Sequence, residues 1–313
     1  MKKLIEMKNS IVIIGLLLLM PVLSWAQQDP QYSLYMFNGL ALNPAYAGSS
    51  TGTIAGINYR TQWLGMDGAP RTTSANIHSR YGQEKLGTGL FVSNDQIGIF
   101  KRNQIRLAQA YHLRMKKFIV GMGIQANYEQ MTAGFANAHY NNGSGDVDNA
   151  FLADQTFSNL NFGAGLYVYN NKFWFGYSAP ALMKQEWSKA SLGTLSAYQS
   201  FHHFVSGGYV FNYGHKWTYK AMGLMKMHES LSPSIDAGFM AYYGNVVGAG
   251  FSNRLNDAWI AMVEFQLGDY ARLIYAFDYT SSPLKNYTNG THELMIKFFL
   301  SSNYRGQVSP RLF

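Results

Sequence analysis

Alternation of apolar and polar residues is the dominant pattern in this chain, and it is clearest between residues 157 and 180. Phe162, Ala164, Leu166 and Val168 alternate with Asn161, Gly163, Gly165 and Tyr167. A period of two residues is typical of a β-strand whose two faces meet different surroundings. The next two residues, Asn170-Asn171, predict a tight turn, because asparagine tolerates a left-handed backbone. This stretch therefore reads as a β-hairpin.

The same alternation recurs along most of the chain and predicts fourteen strands. They lie near residues 52–60, 72–80, 86–94, 102–113, 117–129, 157–169, 172–178, 202–213, 216–226, 233–243, 246–252, 257–267, 270–280 and 290–300. Tight turns are predicted at Met115-Lys116, Asn170-Asn171, Gly214-His215, Gly244-Asn245 and Gly268-Asp269, and longer loops at 61–71, 95–101, 130–156, 179–201 and 281–289. An even number of strands with short turns at one end is typical of an outer-membrane barrel.

Two soluble all-β folds fit this pattern less well. A β-sandwich exposes charged faces, whereas the polar face here is rich in Gly, Asn, Gln and isolated charges. A propeller would show a repeat of blade length, and the sequence shows none. An open sheet in lipid would leave backbone groups unpaired at its edges. We therefore predict a closed antiparallel transmembrane β-barrel of about 14 strands, with short periplasmic turns and longer extracellular loops.

Composition agrees with a membrane barrel and excludes several other classes. Of 313 residues, 15% are aromatic and 13% are charged, about half the charge usual in soluble domains. The chain has no cysteine, which rules out disulfides and thiolate metal sites. The net charge of +8 comes without a run of Lys and Arg, so we predict no nucleic-acid partner.

The first 26 residues have the features of a secretory signal peptide. Three lysines precede an apolar run at 11–20, and Ser24-Trp25-Ala26 has the pattern of a cleavage site. The run is shorter than the roughly 20 residues that span a bilayer as a helix. We expect export to a Gram-negative outer membrane. The predicted divisions are a signal peptide (1–26), a periplasmic or lumen-facing segment (27–49), the barrel (50–301) and a periplasmic tail (302–313).

The polar faces of the strands predict a charged lumen. The charged residues on these faces are Arg80, Arg106, Glu129, Lys220, Asp236, Glu264, Arg272, Asp278, Glu293 and Lys297. Both signs occur in similar number, which favours a lumen cross-linked by ion pairs over a wide pore that selects one charge. The simpler alternative is that these residues only keep a polar wall hydrated.

Several longer stretches carry a family resemblance. They are DPQYSLYMFN (29–38), NPAYAG (43–48), YRTQWLGMDGAP (59–70), SNDQIG (93–98) and HELM (292–295). These stretches resemble the PorP/SprF family of Bacteroidetes outer-membrane proteins. The resemblance implies a non-enzymatic accessory barrel of type IX secretion. It implies as partner either a large surface adhesin, of the gliding type, bound through its C-terminal domain, or the periplasmic ring and motor.

Two groups of residues are candidate contacts. The loop side chains predicted to meet a partner outside the cell are Arg60, Gln62, Trp63, Asp67, Arg71, Asn94 and Asp95; a structural cap over the mouth is the alternative. The N-terminal segment contributes Tyr32, Tyr35, Met36, Phe37, Asn43 and Pro44. Its aromatic side chains are too apolar to remain in water. They either plug the lumen or bind a periplasmic partner, and the segment is expected to start on the periplasmic side.

No catalytic, metal or cofactor site is predicted. The chain lacks GxSxG, P-loop and HExxH patterns. The stretch Asn141–Asp148 offers alternate oxygen ligands but lacks the closing glutamate of a calcium loop. The leading hypothesis is a barrel that helps type IX secretion export or anchor an adhesin, in contact with translocon or ring components and with outer-membrane lipid. The alternatives are the ring-coupled barrel and a solute-conducting porin.

Overall fold

The computed structural model describes residues 31–50, 52–82, 85–135, 154–183, 185–187, 197–199, 202–211, 216–229 and 232–300. These residues form sixteen strands: β1 (Ile54–Thr61), β2 (Arg71–Tyr81), β3 (Leu86–Ile97), β4 (Phe100–Arg114), β5 (Ile119–Ala133), β6 (Gln155–Tyr169), β7 (Phe173–Ala179), β8 (Gln185–Trp187), β9 (Ala197–Gln199), β10 (His202–Phe211), β11 (Trp217–His228), β12 (Ser234–Tyr243), β13 (Val247–Arg254), β14 (Ala258–Leu267), β15 (Ala271–Thr280) and β16 (Thr291–Phe299).

Fourteen of these strands close into one antiparallel barrel, which confirms the predicted fold. Chain neighbours pair in order, and β10 takes its place beside β7 because β8 and β9 form a separate two-stranded sheet. The barrel closes where β1 pairs with β16, in a register that runs from Ile54 opposite Phe299 to Thr61 opposite His292. Closure leaves the barrel without an unpaired edge, as a sheet in hydrocarbon requires.

The two ends of the barrel differ in their connections. At the short-turn end, Gly244, Asn245 and Gly268 have positive φ angles, as tight turns demand. At the long-loop end, the predicted loop 95–101 is wrong. β3 continues to Ile97 and β4 begins at Phe100, with Asp95 opposite Arg102 in register, so only residues 98 and 99 connect them.

Side chains alternate between lipid and lumen as the sequence pattern predicts. Apolar side chains such as Ile124, Leu107 and Phe251 are more than half exposed on the outer face, where an outer-membrane barrel meets lipid. Inward positions carry glycines and buried polar residues. In the described part of the chain, no helix has the length and apolarity needed to cross a membrane.

Residues 31–50 fill the lumen and form the core of the molecule. They fold as a 3-10 turn (Tyr35–Phe37), an α-helical turn (Gly39–Leu42) and a second 3-10 turn (Pro44–Tyr46). Leu34 and Ala45 are fully buried. We call this segment the plug.

The plug runs in the opposite direction from the one predicted. Ser33 lies beside Glu293, near the long-loop end of β16. Gly48 lies beside Arg80, near the short-turn end of β2. The segment was expected to start on the periplasmic side, but it descends from the outer half of the lumen to the start of β1. Strand parity fixes the end at which β1 begins, and it does not restrict a segment that lies inside the barrel.

Some predicted features lie outside the described residues. They are the signal peptide (1–26), the start of the N-terminal segment (27–30), the turn at Gly214-His215, most of loop 130–156 with the candidate calcium ligands Asn141–Asp148, much of loop 179–201, and the tail (302–313).

Candidate functional site

The upper part of the plug is held by buried charges. Arg60 on β1 donates to Glu293 on β16 at 2.9 Å and to Asp278 on β15 at 3.1 Å. The Ser33 hydroxyl accepts from Arg60 at 2.8 Å and donates to Asp278 at 2.6 Å, while the Ser33 amide donates to Glu293 at 2.7 Å. All four side chains are almost fully buried. A buried charge is tolerated only where it is paired and hydrogen-bonded, and each charge here has an opposite charge beside it, although Arg60 Nε and Asp278 Oδ1 have no hydrogen-bond partner among the described residues.

A second arginine, Arg254, extends this group of ion pairs around the barrel. Arg254 on β13 pairs with Asp236 at 3.0 Å and lies 3.8 Å from Asp278. Lys226 approaches Asp236 at 3.9 Å. One of the Arg254 nitrogens lies 3.5 Å from the Ser33 hydroxyl. Ser33 is therefore the point where the plug joins an ion-pair network that spans β1, β11–β13, β15 and β16; we call this network the upper lock.

The middle of the plug is bound through its backbone carbonyls. Arg106 donates to Ala41 at 2.6 Å, and Ser178 donates to Leu42 at 2.7 Å. The Asn43 amide nitrogen reaches carbonyls of both β6 and β7, at 2.9 and 3.2 Å. Its oxygen caps the following 3-10 turn by accepting from Ala45 at 2.9 Å. Asn43 therefore anchors the plug to the wall while it starts the last helical turn.

The lower part of the plug packs against a wall of glycines. A Cβ at Gly87 would overlap the Ala47 carbonyl, and one at Gly123 would overlap the backbone of Ala45. A Cβ at Gly165 would overlap the Asn43 side chain. These glycines lie on β3, β5 and β6 and point inward. Their lack of a side chain lets two backbones touch, so close backbone packing helps to fix this half of the plug.

The last peptide of the plug is held by histidines and an arginine. His112 lies 2.7 Å from the Ala47 carbonyl through its Nε2, and the Gly48 amide donates to His78 Nδ1 at 3.2 Å. Arg80 donates to the Gly48 carbonyl. Since a carbonyl can only accept, His112 carries its proton on Nε2. The plug is thus tied down at the point where it joins β1.

Lys220 meets the plug through aromatic rings. Its ammonium lies 4.8 Å from the ring of Phe37, 5.6 Å from Tyr242 and 5.9 Å from Trp174. The side chain is fully buried, and no hydrogen-bond acceptor among the described residues reaches Nζ. Ring faces attract cations, so the three rings offset part of the cost of burying this charge.

Burial further raises the already high pKa of two tyrosines of the plug, Tyr32 and Tyr35. It raises the pKa of Tyr32 to about 12 and raises the pKa of Tyr35 well above its ordinary value. Both rings belong to the buried core. The aromatic part of the plug therefore adds apolar contacts and no further charge at neutral pH.

Two outer loops interlock above the seam between β1 and β16. The amide of Leu64 donates to Gly290 at 2.8 Å, and that of Asn289 donates to Leu64 at 2.8 Å. In the loop 62–70, the Gly68 carbonyl also accepts a hydrogen bond from the Gly98 amide, at 2.9 Å. We call the loops 62–70 and 281–290 the platform. Its most exposed large side chain is Tyr287, 71% accessible.

The predicted outer-loop residues fall into three places. Arg60 and Asp95 are not loop residues, because they lie on β1 and β3 with buried side chains. Arg60 belongs to the upper lock, and Asp95 accepts from Thr72 at 2.5 Å. Gln62, Trp63 and Asp67 lie in the platform, with Asp67 exposed. Arg71 and Asn94 lie on β2 and β3 and point outward.

The structure places the other predicted residues inside the barrel. Of the ten charged residues predicted for the lumen, Arg80 is partly buried and the other nine have buried side chains, among them Arg106, Glu129, Glu264, Arg272, Glu293 and Lys297. Glu264 pairs with Arg272 at 2.5 Å, and Glu129 pairs with Arg102 at 3.2 Å. In the plug, Tyr32, Tyr35, Phe37, Asn43 and Pro44 are buried and Met36 is partly buried.

Sequence reasoning missed three important residues. Ser33 stands in the stretch 29–38, but a lone serine gives no sign that charges converge on it. Tyr287 follows a proline-containing loop and carries no motif of its own. Gly123 belongs to the alternating pattern, and its inward position could have suggested a close backbone approach. The contacts of each of these residues depend on which distant segments of the chain are brought together in the fold.

The comparisons with known proteins agree with this architecture. The model of a family described as type IX secretion system membrane protein PorP/SprF matches residues 24–298. The chain belongs to the PorP/SprF family. This confirms the resemblance found in the sequence, and together with the fold it identifies an outer-membrane β-barrel of type IX secretion. Comparison with curated proteins gives no match.

Solved outer-membrane barrels share the fold. A FadL homologue from Pseudomonas aeruginosa is similar with a TM-score of 0.50 at 11% identity, over 87% of this chain and 95% of that chain. The outer-membrane protein Omp33 of Acinetobacter baumannii gives a TM-score of 0.45 at 10% identity, over 78% and 97% of the two chains. At this identity the first likeness supports the barrel fold alone.

Proposed function

We propose that this PorP/SprF barrel is a plugged, non-enzymatic accessory of type IX secretion that helps export or anchor a large surface adhesin. The observation that carries the proposal is the plug, which is tied at its upper end by the upper lock and seated below on glycines. A lumen filled in this way favours a barrel that works through its surfaces over one that works as a solute conduit. No cofactor is needed for that role.

The platform is the surface we assign to the adhesin. Hydrogen bonds between its two loops fix its backbone before any partner binds, which lowers the entropic cost of association. It presents Tyr287 and Asp67 to solvent, and Trp63 in the same loop as Asp67 is partly buried. Exposed tyrosines on a rigid backbone are frequent anchors of protein interfaces.

Capture of the adhesin C-terminal domain tests the platform. The double variant Tyr287→Ser/Asp67→Lys should reduce capture by the full-length barrel at least about tenfold, as loss of an interface anchor does. Tyr270→Ser is the matched control, because Tyr270 is 67% exposed at the opposite, short-turn end. Equal capture by all three proteins would remove the platform from the proposal.

Coupling to the periplasmic ring is the first alternative. The ring would be contacted through the two segments predicted to reach the periplasm, 27–49 and 302–313, but burial of residues 31–50 inside the barrel makes the first of them a poor periplasmic contact. Capture of the ring lipoprotein by the same full-length barrel separates the two branches. Strong capture of the ring protein with none of the adhesin domain would favour the alternative.

A solute-conducting porin is the second alternative. The proposal expects the purified barrel to give no large, steady openings in a planar bilayer, because the plug occupies the lumen. Such openings in the unmodified protein would contradict a plugged anchor. The platform variants serve as a control here, since they change no residue of the plug or its seat.

A further inference from the structure

The strands β4, β5 and β6 are longer than a membrane crossing needs. Each has 15 residues, whereas a tilted strand crosses the bilayer with about 9–11. On β5 the outward residues from Val120 to Tyr128 are apolar and span nine positions. The extra residues lie beyond them, toward the long-loop end.

The outward side chains change from apolar to polar at one continuous row of paired residues across five strands. The last apolar row runs from β2 to β6 as Ala75, Val92, Ile105, Tyr128 and Leu160. The next row toward the long-loop end is Thr73, Asn94, Asn103, Gln130 and Ser158, and the row after it is Arg71, Gln96, Lys101, Thr132 and Thr156. Rows on one face are about 7 Å apart along a strand.

These two rows form a continuous polar sheet face; we call it the polar face. Its hydroxyl and amide groups already make short contacts, such as Asn94 to Asn103 at 2.6 Å and Thr132 to Thr156 at 3.2 Å. It contains two cations, Arg71 and Lys101, and no acidic residue. On β12, β14 and β15 the outward residues stay apolar up to Ile235, Trp259 and Tyr279, and on β13 the outward row ends in Asn253, so these four strands have one polar outward residue where β2–β6 have two polar rows.

The position of the polar face determines what it meets. It points away from the barrel axis and follows the apolar belt toward the long-loop end, where an outer-membrane barrel meets the head groups of the outer leaflet. In a Gram-negative outer membrane those head groups are phosphorylated sugars of lipopolysaccharide. Arg and Lys bind phosphate, and rows of Asn, Gln, Ser and Thr offer donors and acceptors to sugar hydroxyls.

We propose that the polar face is a binding site for the phosphorylated glycolipid of the outer leaflet. Arg71 and Lys101 hold the phosphates, and the amides of Asn103 and Gln130 bind the sugar. The site rests on the outer-membrane location of the barrel and is independent of any adhesin partner. It would tie one side of the barrel to the lipid layer and leave the other side in contact with acyl chains only.

Native mass spectrometry of the full-length barrel in detergent, titrated with lipid A, tests the site. Each exposed cation near an anionic lipid contributes about fivefold in affinity, so Arg71→Glu/Lys101→Glu should lower lipid A binding about thirtyfold or more. Lys116→Glu/Lys117→Glu is the matched control, because it makes the same charge change on exposed residues of a short turn. This control should retain lipid A. Asn103→Ala/Gln130→Ala should lose several-fold.

Three outcomes would overturn the proposal. Equal lipid A binding by both charge-reversed proteins would show that the polar face does not hold the lipid. Displacement of lipid A by inorganic phosphate alone, or equal binding of phosphatidylethanolamine, would show that the site is not specific for the glycolipid. Unchanged lipid A binding with loss of adhesin capture in Arg71→Glu/Lys101→Glu would assign the face to a protein. The heat-dependent gel mobility of each variant reports that the barrel is folded.

Discussion

The two halves of the plug seat differ in how they hold the same segment. Near the long-loop end, Ser33 is fixed by Arg60, Asp278 and Glu293, which are charged groups from three strands. Near the short-turn end, Ala45 and Ala47 rest directly on Gly123 and Gly87. One half depends on pairs of buried charges, whereas the other combines close packing on glycines with hydrogen bonds from Arg80 and His112 to backbone carbonyls. The two halves should therefore respond to different substitutions.

Removal of Arg60 should have the largest effect. Arg60→Ala leaves Asp278 and Glu293 buried with one cation fewer, and breaking a buried pair from one side costs about 3–5 kcal/mol. Urea unfolding of the folded barrel measures the loss. The double variant Arg60→Gln/Glu293→Gln should recover part of it, because it leaves neither charge alone. A double variant less stable than Arg60→Ala would contradict the view that charge pairing governs this half.

A side chain in the glycine half should have the next largest effect. Gly123→Val places methyl groups where the backbone of Ala45 lies, and overpacking costs about 1–3 kcal/mol or forces a shift. We expect the lower plug to leave its seat, which planar-bilayer recordings would detect as new openings. Gly223→Val is the control, since Gly223 points outward and a Cβ there meets only ordinary contact at 3.5 Å. Silent recordings from both variants would mean that the plug tolerates the intrusion.

Neutralisation of Lys220 should have the smallest effect. Its ammonium is surrounded by the rings of Phe37, Tyr242 and Trp174 and has no hydrogen-bond acceptor among the described residues. Lys220→Met removes a buried charge and keeps the volume, so the free energy of unfolding should stay within about 1 kcal/mol or rise. The same urea experiment compares it with Arg60→Ala. A loss as large as that of Arg60→Ala would show that the charge of Lys220 is essential to the fold.

The strands and their faces were predictable because successive residues of a barrel strand face lipid and lumen in turn, and the two environments favour different residue types. Residues such as Phe162 and Gly163 differ in type because one meets lipid and the other the lumen. Strand ends were less predictable. Residues 95–101 look like loop sequence, but pairing between β3 and β4 continues through most of them, from Asp95 opposite Arg102 to Ile97 opposite Phe100. The pattern also predicted charged lumen positions such as Glu293 and Arg272.

The contacts of the plug were not predictable in the same way. The sequence showed that Tyr35 and Phe37 are too apolar for water, but it left plugging and partner binding open. Arg60 looked like a loop residue because it stands in a motif with Gln62, Trp63 and Asp67. Alternation on β1 places Arg60 on the same inward face as Asn58, but its meeting with Glu293 depends on the register of β1 against β16, which no local pattern encodes.

The sequence by itself determined a closed barrel, the number of its strands, the side of each strand that faces lipid and the family to which the chain belongs. Only the tertiary structure decided the direction of the plug, the contact of Ser33 with Arg60 and Glu293, and the row of outward residues at which the outer surface becomes polar. The physical reason is the separation along the chain of the residues that interact. Alternation is a local response to two environments, whereas these features arise where residues distant in the chain are brought into register.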